Sequence, residues 1–61
     1  MQNLVRERLN ALLREKGTTQ AHICRNLNLP KSVLSSFKNG ARDLYLHTLQ
    51  ELDSFLEKEG Y

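Results

Sequence analysis

The sequence is poor in the residues that staple, break or anchor a chain. One of its 61 residues is cysteine, Cys24, so no internal disulfide can form. A single proline and three glycines leave long stretches free to be helical. No apolar run approaches the roughly 20 residues of a membrane span, and no secretory h-region is present. A Gly-rich phosphate loop, a nucleophile elbow and carboxylates paired around a pocket are all missing, which removes the common enzyme classes. A chain this short rarely encloses a substrate pocket of about 300–1,000 Å3, so no enzyme and no small-molecule substrate is expected. His22, His47 and Cys24 lack four-ligand zinc spacing, so neither a metal nor another cofactor is expected.

Acid is missing too, and from one place. Between Glu15 and Asp43 there is no acidic residue, while Lys16, Arg25, Lys31, Lys38 and Arg42 all lie there. After Asp43 the balance reverses, with Glu51, Asp53, Glu57 and Glu59 against Lys58. The net charge of +2 hides this division. An acid-free, basic middle third suits a polyanionic partner. The acidic end reads as a solvated face turned away from that partner. A lone thiol without an export signal points to the cytoplasm, and no membrane partner is expected.

What is present is helical periodicity, and no segment alternates like a strand. Val5, Leu9 and Leu12 share one face of a first helix, joined by Leu13, with Arg6, Glu7, Arg8, Asn10 and Arg14 on the other side. Gly17 suits a left-handed stop. Thr19 is the expected N-cap of a second helix, Gln20–Asn26, whose Ile23, Cys24 and Leu27 point inward. Asn28 tolerates positive φ in the turn Asn28-Leu29. Pro30 opens a third helix to Asn39, with Val33, Leu34 and Phe37 inward, and Asn39-Gly40 ends it. A polar loop with Arg42 and Asp43 leads to a fourth helix built on Leu46, Leu49, Leu52 and Leu56, then a short tail, Glu57–Tyr61. Tyr45 is open to three placements: exposed loop, core edge or partner contact. The expected fold is therefore all-α, one domain over residues 1–61, a compact four-helix bundle. A chain this size buries only about 60% of its unfolded surface, so self-association is a natural support.

Two short helices joined by a tight turn make a helix-turn-helix unit. Cys24 supplies the small side chain where the helices cross, Asn28 the positive-φ turn, and Leu34 and Phe37 the inward face. Gly17-Thr18-Thr19-Gln20, Asn28-Leu29-Pro30-Lys31-Ser32 and Leu34-Ser35-Ser36-Phe37-Lys38-Asn39-Gly40 resemble the Cro/phage-repressor (lambda-repressor-like) helix-turn-helix family over roughly Val5 to Leu56. The resemblance implies a sequence-specific DNA-binding transcriptional regulator, a repressor in the Cro manner, from a bacterium or phage.

It also implies roles. Thr19 and Gln20 would contact phosphate from the start of the second helix. Lys31, Ser32 and Ser36, with Val33 and Ser35 beside them, would face base edges in the major groove. Lys38, Asn39 and Arg42 would hold the backbone beyond. The chemistry agrees: Lys31 can donate to guanine O6 and N7, serine pairs with several bases, and a Val33 methyl can meet a thymine methyl. None of these offers a bidentate match, so discrimination per half-site is expected to be modest.

The chain departs from the family in four ways. Asn28 stands where glycine is common and Pro30 where Ser or Thr caps the third helix. Lys38 stands where glutamate is frequent, adding charge at the DNA side. A fifth helix usually follows the fourth and this sequence has none, although Met1 is the expected natural start. The uncovered face of helices one and four is the expected homodimer surface, with Phe55, Leu56 and Tyr61 as contacts and a two-fold site on double-stranded DNA. The competing expectation is a protein-interaction module or inhibitor that uses the same fold to dock a protein.

Overall fold

Apart from the starts of α1 and α4, each helix boundary coincides with a residue whose chemistry favours it. The computed structural model describes residues 1–61 as α1 (Gln2–Lys16), α2 (Gln20–Leu27), α3 (Lys31–Lys38) and α4 (Leu46–Lys58), with no strand. Thr19, in extended backbone, caps α2 by accepting from the His22 N–H at 3.2 Å. Asn28 is the only non-glycine residue at positive φ (53°), and the Leu29 N–H beyond it closes on Cys24 O at 2.9 Å. Pro30 precedes α3 with φ −60°, and its carbonyl starts the helix by accepting from Val33 and Leu34.

The last three helices stop in one way, by a left-handed residue that reverses the chain and satisfies orphan carbonyls. At the end of α3, Gly40 (φ 82°) donates to Phe37 O and Ala41 donates to Ser36 O. At the end of α4, Gly60 (φ 85°) donates to Glu57 O and Tyr61 to Leu56 O. α1 ends at Gly17, also left-handed (φ 68°).

The core is a single cluster of eleven residues drawn from every helix: Val5, Leu9 and Leu12, then Ile23 and Cys24, Leu34 and Phe37, Leu44, and Leu49, Leu52 and Leu56. Phe37 is the largest, and no polar side chain is buried. Each such aliphatic or aromatic side chain contributes about 1.5–3 kcal/mol relative to an exposed one. Leu44 is the one core residue outside a helix. Its main chain can be buried because the Gln2 amide pairs with both sides of it, donating to Leu44 O at 2.9 Å and accepting from Leu44 N–H at 3.3 Å.

α1 organises the rest, packing on both α3 and α4, while α2 packs on α3. It runs parallel to α4: Gln2 meets Leu44, Arg8 pairs with Asp53, and the Tyr61 hydroxyl donates to Glu15 at 2.8 Å. The Arg8 Nε–H also donates to the Tyr61 main-chain oxygen at 2.5 Å. Tyr61, turned back by Gly60, therefore lies over the far end of the α1/α4 seam, and the Lys16 ammonium sits 5.9 Å from its ring centroid.

Several sequence expectations are corrected. Leu56 is wholly buried, not an interface residue, because from Leu49 and Leu52 the next inward position on a 3.6-residue period is 56. Arg6 and Arg8 do not lie on a free outer face: their side chains keep only 15% and 22% of their exposure. Asp53 is not a bare acidic surface residue but the partner of Arg8. Leu46 does not join the core and stays 63% exposed, as does Tyr45 at 81%, because Leu44 fills the space ahead of α4. α4 also runs to Lys58, so the first two residues of the expected tail, Glu57 and Lys58, are helix.

Candidate nucleic-acid interface

α2 and α3 are joined by three residues, Asn28 to Pro30, and pack against each other through Ile23, Cys24, Leu34 and Phe37. This turns the remaining side of α3 outward. Lys31 and Ser32 are exposed, whereas Val33, Ser35, Ser36 and Lys38 are half-buried. Val33 reaches both ways, packing at the core edge next to Leu29 and Leu44 while part of it stays accessible. An eight-residue helix is about 12 Å long, close to the roughly 12 Å width of the major groove of B-DNA. Apart from Lys31 at its start and Lys38 at its end, the accessible residues Ser32, Val33, Ser35 and Ser36 are short, so the middle of the helix carries nothing bulky to keep it from a groove.

The flanking groups lie on the elements adjoining this helix. Thr19 and Asn39 are exposed and Gln20 is half-buried. Because Thr19 Oγ1 already accepts from the His22 N–H, its own O–H remains available to donate outward. Neither α2 nor α3 has an acidic residue in its first turn, so neither helix N-terminus is masked by a carboxylate. Arg42 is exposed on the loop after α3.

The electrostatics separate the cations into two groups. The ion pairs are Arg6–Asp43, Arg8–Asp53 and Arg14–Glu15, and His47 Nε2 lies 3.6 Å from Glu51 Oε1. Arg25, Lys31, Lys38 and Arg42 enter none of them, nor do Lys16 and Lys58, whereas the three arginines of α1 are each paired with a carboxylate. Asp43, beside Arg42 in sequence, is turned to Arg6 at 3.0 Å.

Of the three expected dimer contacts, Leu56 is in the core. Phe55 is half-buried with its ring centroid 6.4 Å from that of His22, and Tyr61 is half-buried with its hydroxyl and main-chain oxygen engaged by α1. The hydrogen bond to Glu15, aided by partial desolvation and the Glu15 charge, pushes the Tyr61 phenol above its ordinary pKa; Arg14 opposes this. Burial pushes the Cys24 thiol up as well, against a lowering by Lys31, so Cys24 is a packing residue and not a poised nucleophile. No three His, Cys, Asp or Glu side chains gather where a metal ion would sit, and no helix is long and apolar enough to cross a membrane.

Sequence reasoning missed Arg6, Gln2 and Leu44. The available signal was the spacing Asn3, Arg6, Asn10, a polar stripe at i, i+3, i+7 running beside the apolar one on α1. Comparisons with family models, with curated proteins and with solved structures returned no match.

Proposed function

We propose that this chain is a sequence-specific DNA-binding transcriptional regulator that lays α3 in the major groove and acts as a homodimer. The observation that carries the reading is an acid-free α2–turn–α3 unit, read as a helix-turn-helix, that with the loop after it bears four cations outside any ion pair (Arg25, Lys31, Lys38 and Arg42) beside the short side chains of Ser32, Val33, Ser35 and Ser36. Its likeness in sequence to the Cro/phage-repressor family supports the same reading. Lys31, Ser32, Val33, Ser35 and Ser36 contact base edges, and Thr19, Gln20, Lys38, Asn39 and Arg42 hold phosphates. The domain acts by binding and catalyses nothing.

The dimensions are compatible with a dimer. The Cα envelope measures 24 × 21 × 18 Å, whereas successive half-sites on one face of the duplex lie about 34 Å apart. One copy reaches one half-site, and two copies related by a two-fold read a palindrome. Of the residues first assigned to the interface, Phe55 and Tyr61 retain accessible surface.

Duplex binding followed by fluorescence anisotropy at several salt concentrations tests the reading. Affinity should fall steeply with salt, by about 0.9 in log–log slope per phosphate contacted. Lys31→Ala should flatten sequence preference, while Arg42→Ala should weaken all duplexes alike. Absence of binding at low salt would end the DNA reading. Light scattering of the wild type beside Phe55→Asp tests the dimer, and a monomer in both refutes it. A second reading, docking of a protein partner, is favoured by one observation: Met1, Leu4, Tyr45 and Leu46 are large, apolar and 59–81% exposed.

A further inference from the structure

The guanidinium of Arg6 is the most heavily used polar group in the molecule, and it joins segments more than thirty residues apart. Its Nε–H donates to Phe37 O at 2.5 Å, across 31 positions of sequence. One terminal nitrogen donates to Asn3 Oδ1 at 2.6 Å. The other donates to Arg42 O at 3.2 Å and to Asp43 Oδ1 at 3.0 Å. The guanidinium carbon lies 4.5 Å from the Phe37 ring centroid, so the group also covers the largest core side chain. One turn on, Asn10 Nδ2 donates to Lys38 O at 3.4 Å and to Arg6 O at 3.1 Å.

These contacts converge on one place, the C-terminal end of α3 and the loop behind it. The last carbonyls of a helix have no partner within it and carry its negative dipole end. Here Phe37 O receives Gly40 N–H from its own chain and Arg6 Nε–H from α1, and Lys38 O receives Asn10. The loop is held at both ends, by the Gly40 and Ala41 N–H bonds at its start and by Arg6 on Arg42 O and Asp43 at its finish. The fork geometry is required: one planar group with five N–H donors serves four acceptors, which a lysine ammonium cannot reach together.

We infer that Arg6 is a positioning residue: it sets the axial placement of α3 and fixes the backbone from which the Arg42 side chain projects. Its consequence for DNA rests on the function proposed above. Arg6 itself is turned inward and touches no phosphate in that reading. Removing it releases the Arg42 loop and lets α3 shift against α1.

The test is a double-mutant cycle between Arg6→Met and Arg42→Ala, read as the salt dependence of duplex binding. Methionine keeps most of the stem over Phe37 and removes every donor. Arg8→Met is the matched control, because it breaks the Arg8–Asp53 pair on the other side of α1. Arg6→Met should lower the log–log salt slope by about 0.9, one phosphate's worth. Adding Arg42→Ala to it should change affinity less than twofold, far less than Arg42→Ala does in the wild type. Arg8→Met should lower thermal stability and leave the slope unchanged. Additive effects with an unchanged slope would overturn the inference.

Amide hydrogen exchange of Gly40 and Ala41 separates this inference from the DNA reading. Arg6→Met should accelerate exchange at these two positions beyond any global change, and Arg8→Met should not. If the wild type binds no DNA, the proposed function fails while this exchange result still decides whether Arg6 holds the loop. Uniform acceleration that tracks overall stability refutes the clamp. Should Arg6→Met be unfolded, Arg6→Lys carries the same measurements, with one acceptor of the four still reachable and a smaller effect in the same direction.

Discussion

Replacing Gly40 with alanine of either hand isolates the handedness of the backbone at the end of α3. Gly40 has φ 82°, and a Cβ built there meets no atom within 4 Å. An L side chain there therefore meets no neighbour, and its cost is that of holding a left-handed φ. L-alanine in this region costs about 1–2 kcal/mol. D-alanine accepts it without strain and narrows the unfolded ensemble, a gain of about 0.4–1 kcal/mol. For a domain of this size 1 kcal/mol corresponds to roughly 4–8 °C in Tm. With the same narrowing partly offsetting its strain, the L-variant should melt up to roughly 13 °C below the wild type and the D-variant roughly 2–8 °C above it. The chain is short enough for chemical synthesis, and circular dichroism melts on the three molecules suffice. Equal shifts for the two enantiomers, or a more stable L-variant, would mean that the chain does not reverse at Gly40 as described.

Other perturbations give equally direct outcomes. Thr19→Ala removes the α2 cap and should lower stability by about 1 kcal/mol in urea titrations, with helix content retained. Tyr61→Phe removes the donor to Glu15. Because the Tyr61 pKa is raised, the contribution of the phenol is present below its ordinary ionisation near 10 and lost as pH climbs through the raised value. Urea midpoints of the wild type should accordingly fall toward those of Tyr61→Phe at alkaline pH, and a constant gap between them would refute the contact. The Cys24 thiol, raised by burial, favours the fold only while protonated, so it too withdraws stability as pH rises through its folded value. It should react with a thiol reagent much more slowly in the native chain than in urea, and equal rates would contradict its burial. Leu56→Asp should abolish cooperative unfolding, whereas Phe55→Asp should leave a folded chain by circular dichroism.

Most helix limits were legible in the sequence because they rest on local chemistry. Gly17, Asn28 and Gly40 mark reversals that need positive φ, Thr19 carries a cap, and the leucine spacings repeat at helical period. What stayed hidden was long-range. The pairing of Gln2 with Leu44 and of Arg6 with Phe37 and Arg42 crosses 31 to 42 positions, and periodicity does not say which polar neighbours of an apolar stripe turn inward. Phe55 and Leu56 show the same limit in small. Both are large and apolar, but Leu56 continues the inward line of Leu49 and Leu52 whereas Phe55 lies at its edge and stays half-buried. Of the residues proposed for an interface, Lys31, Ser32, Asn39 and Arg42 are accessible in the folded chain; the sequence did not reveal that α1 bonds to the loop that carries Arg42.

The place of α1 has a consequence for how the protein comes into being. α2 and α3 lie close in sequence and close on each other locally, but α1 rests on α3 and α4, and its polar links reach as far as Tyr61. A helical domain this small folds in microseconds to milliseconds. Translation at about 5–20 residues per second puts about 2–8 s between the emergence of Lys16 and that of Lys58. The first helix synthesised can therefore complete its packing only after α4 has been made, and until then its inward line of Val5, Leu9 and Leu12 lacks its final partner. Assembly in the cell is paced by the ribosome, with solubility during that interval resting on the charged residues that flank those three side chains.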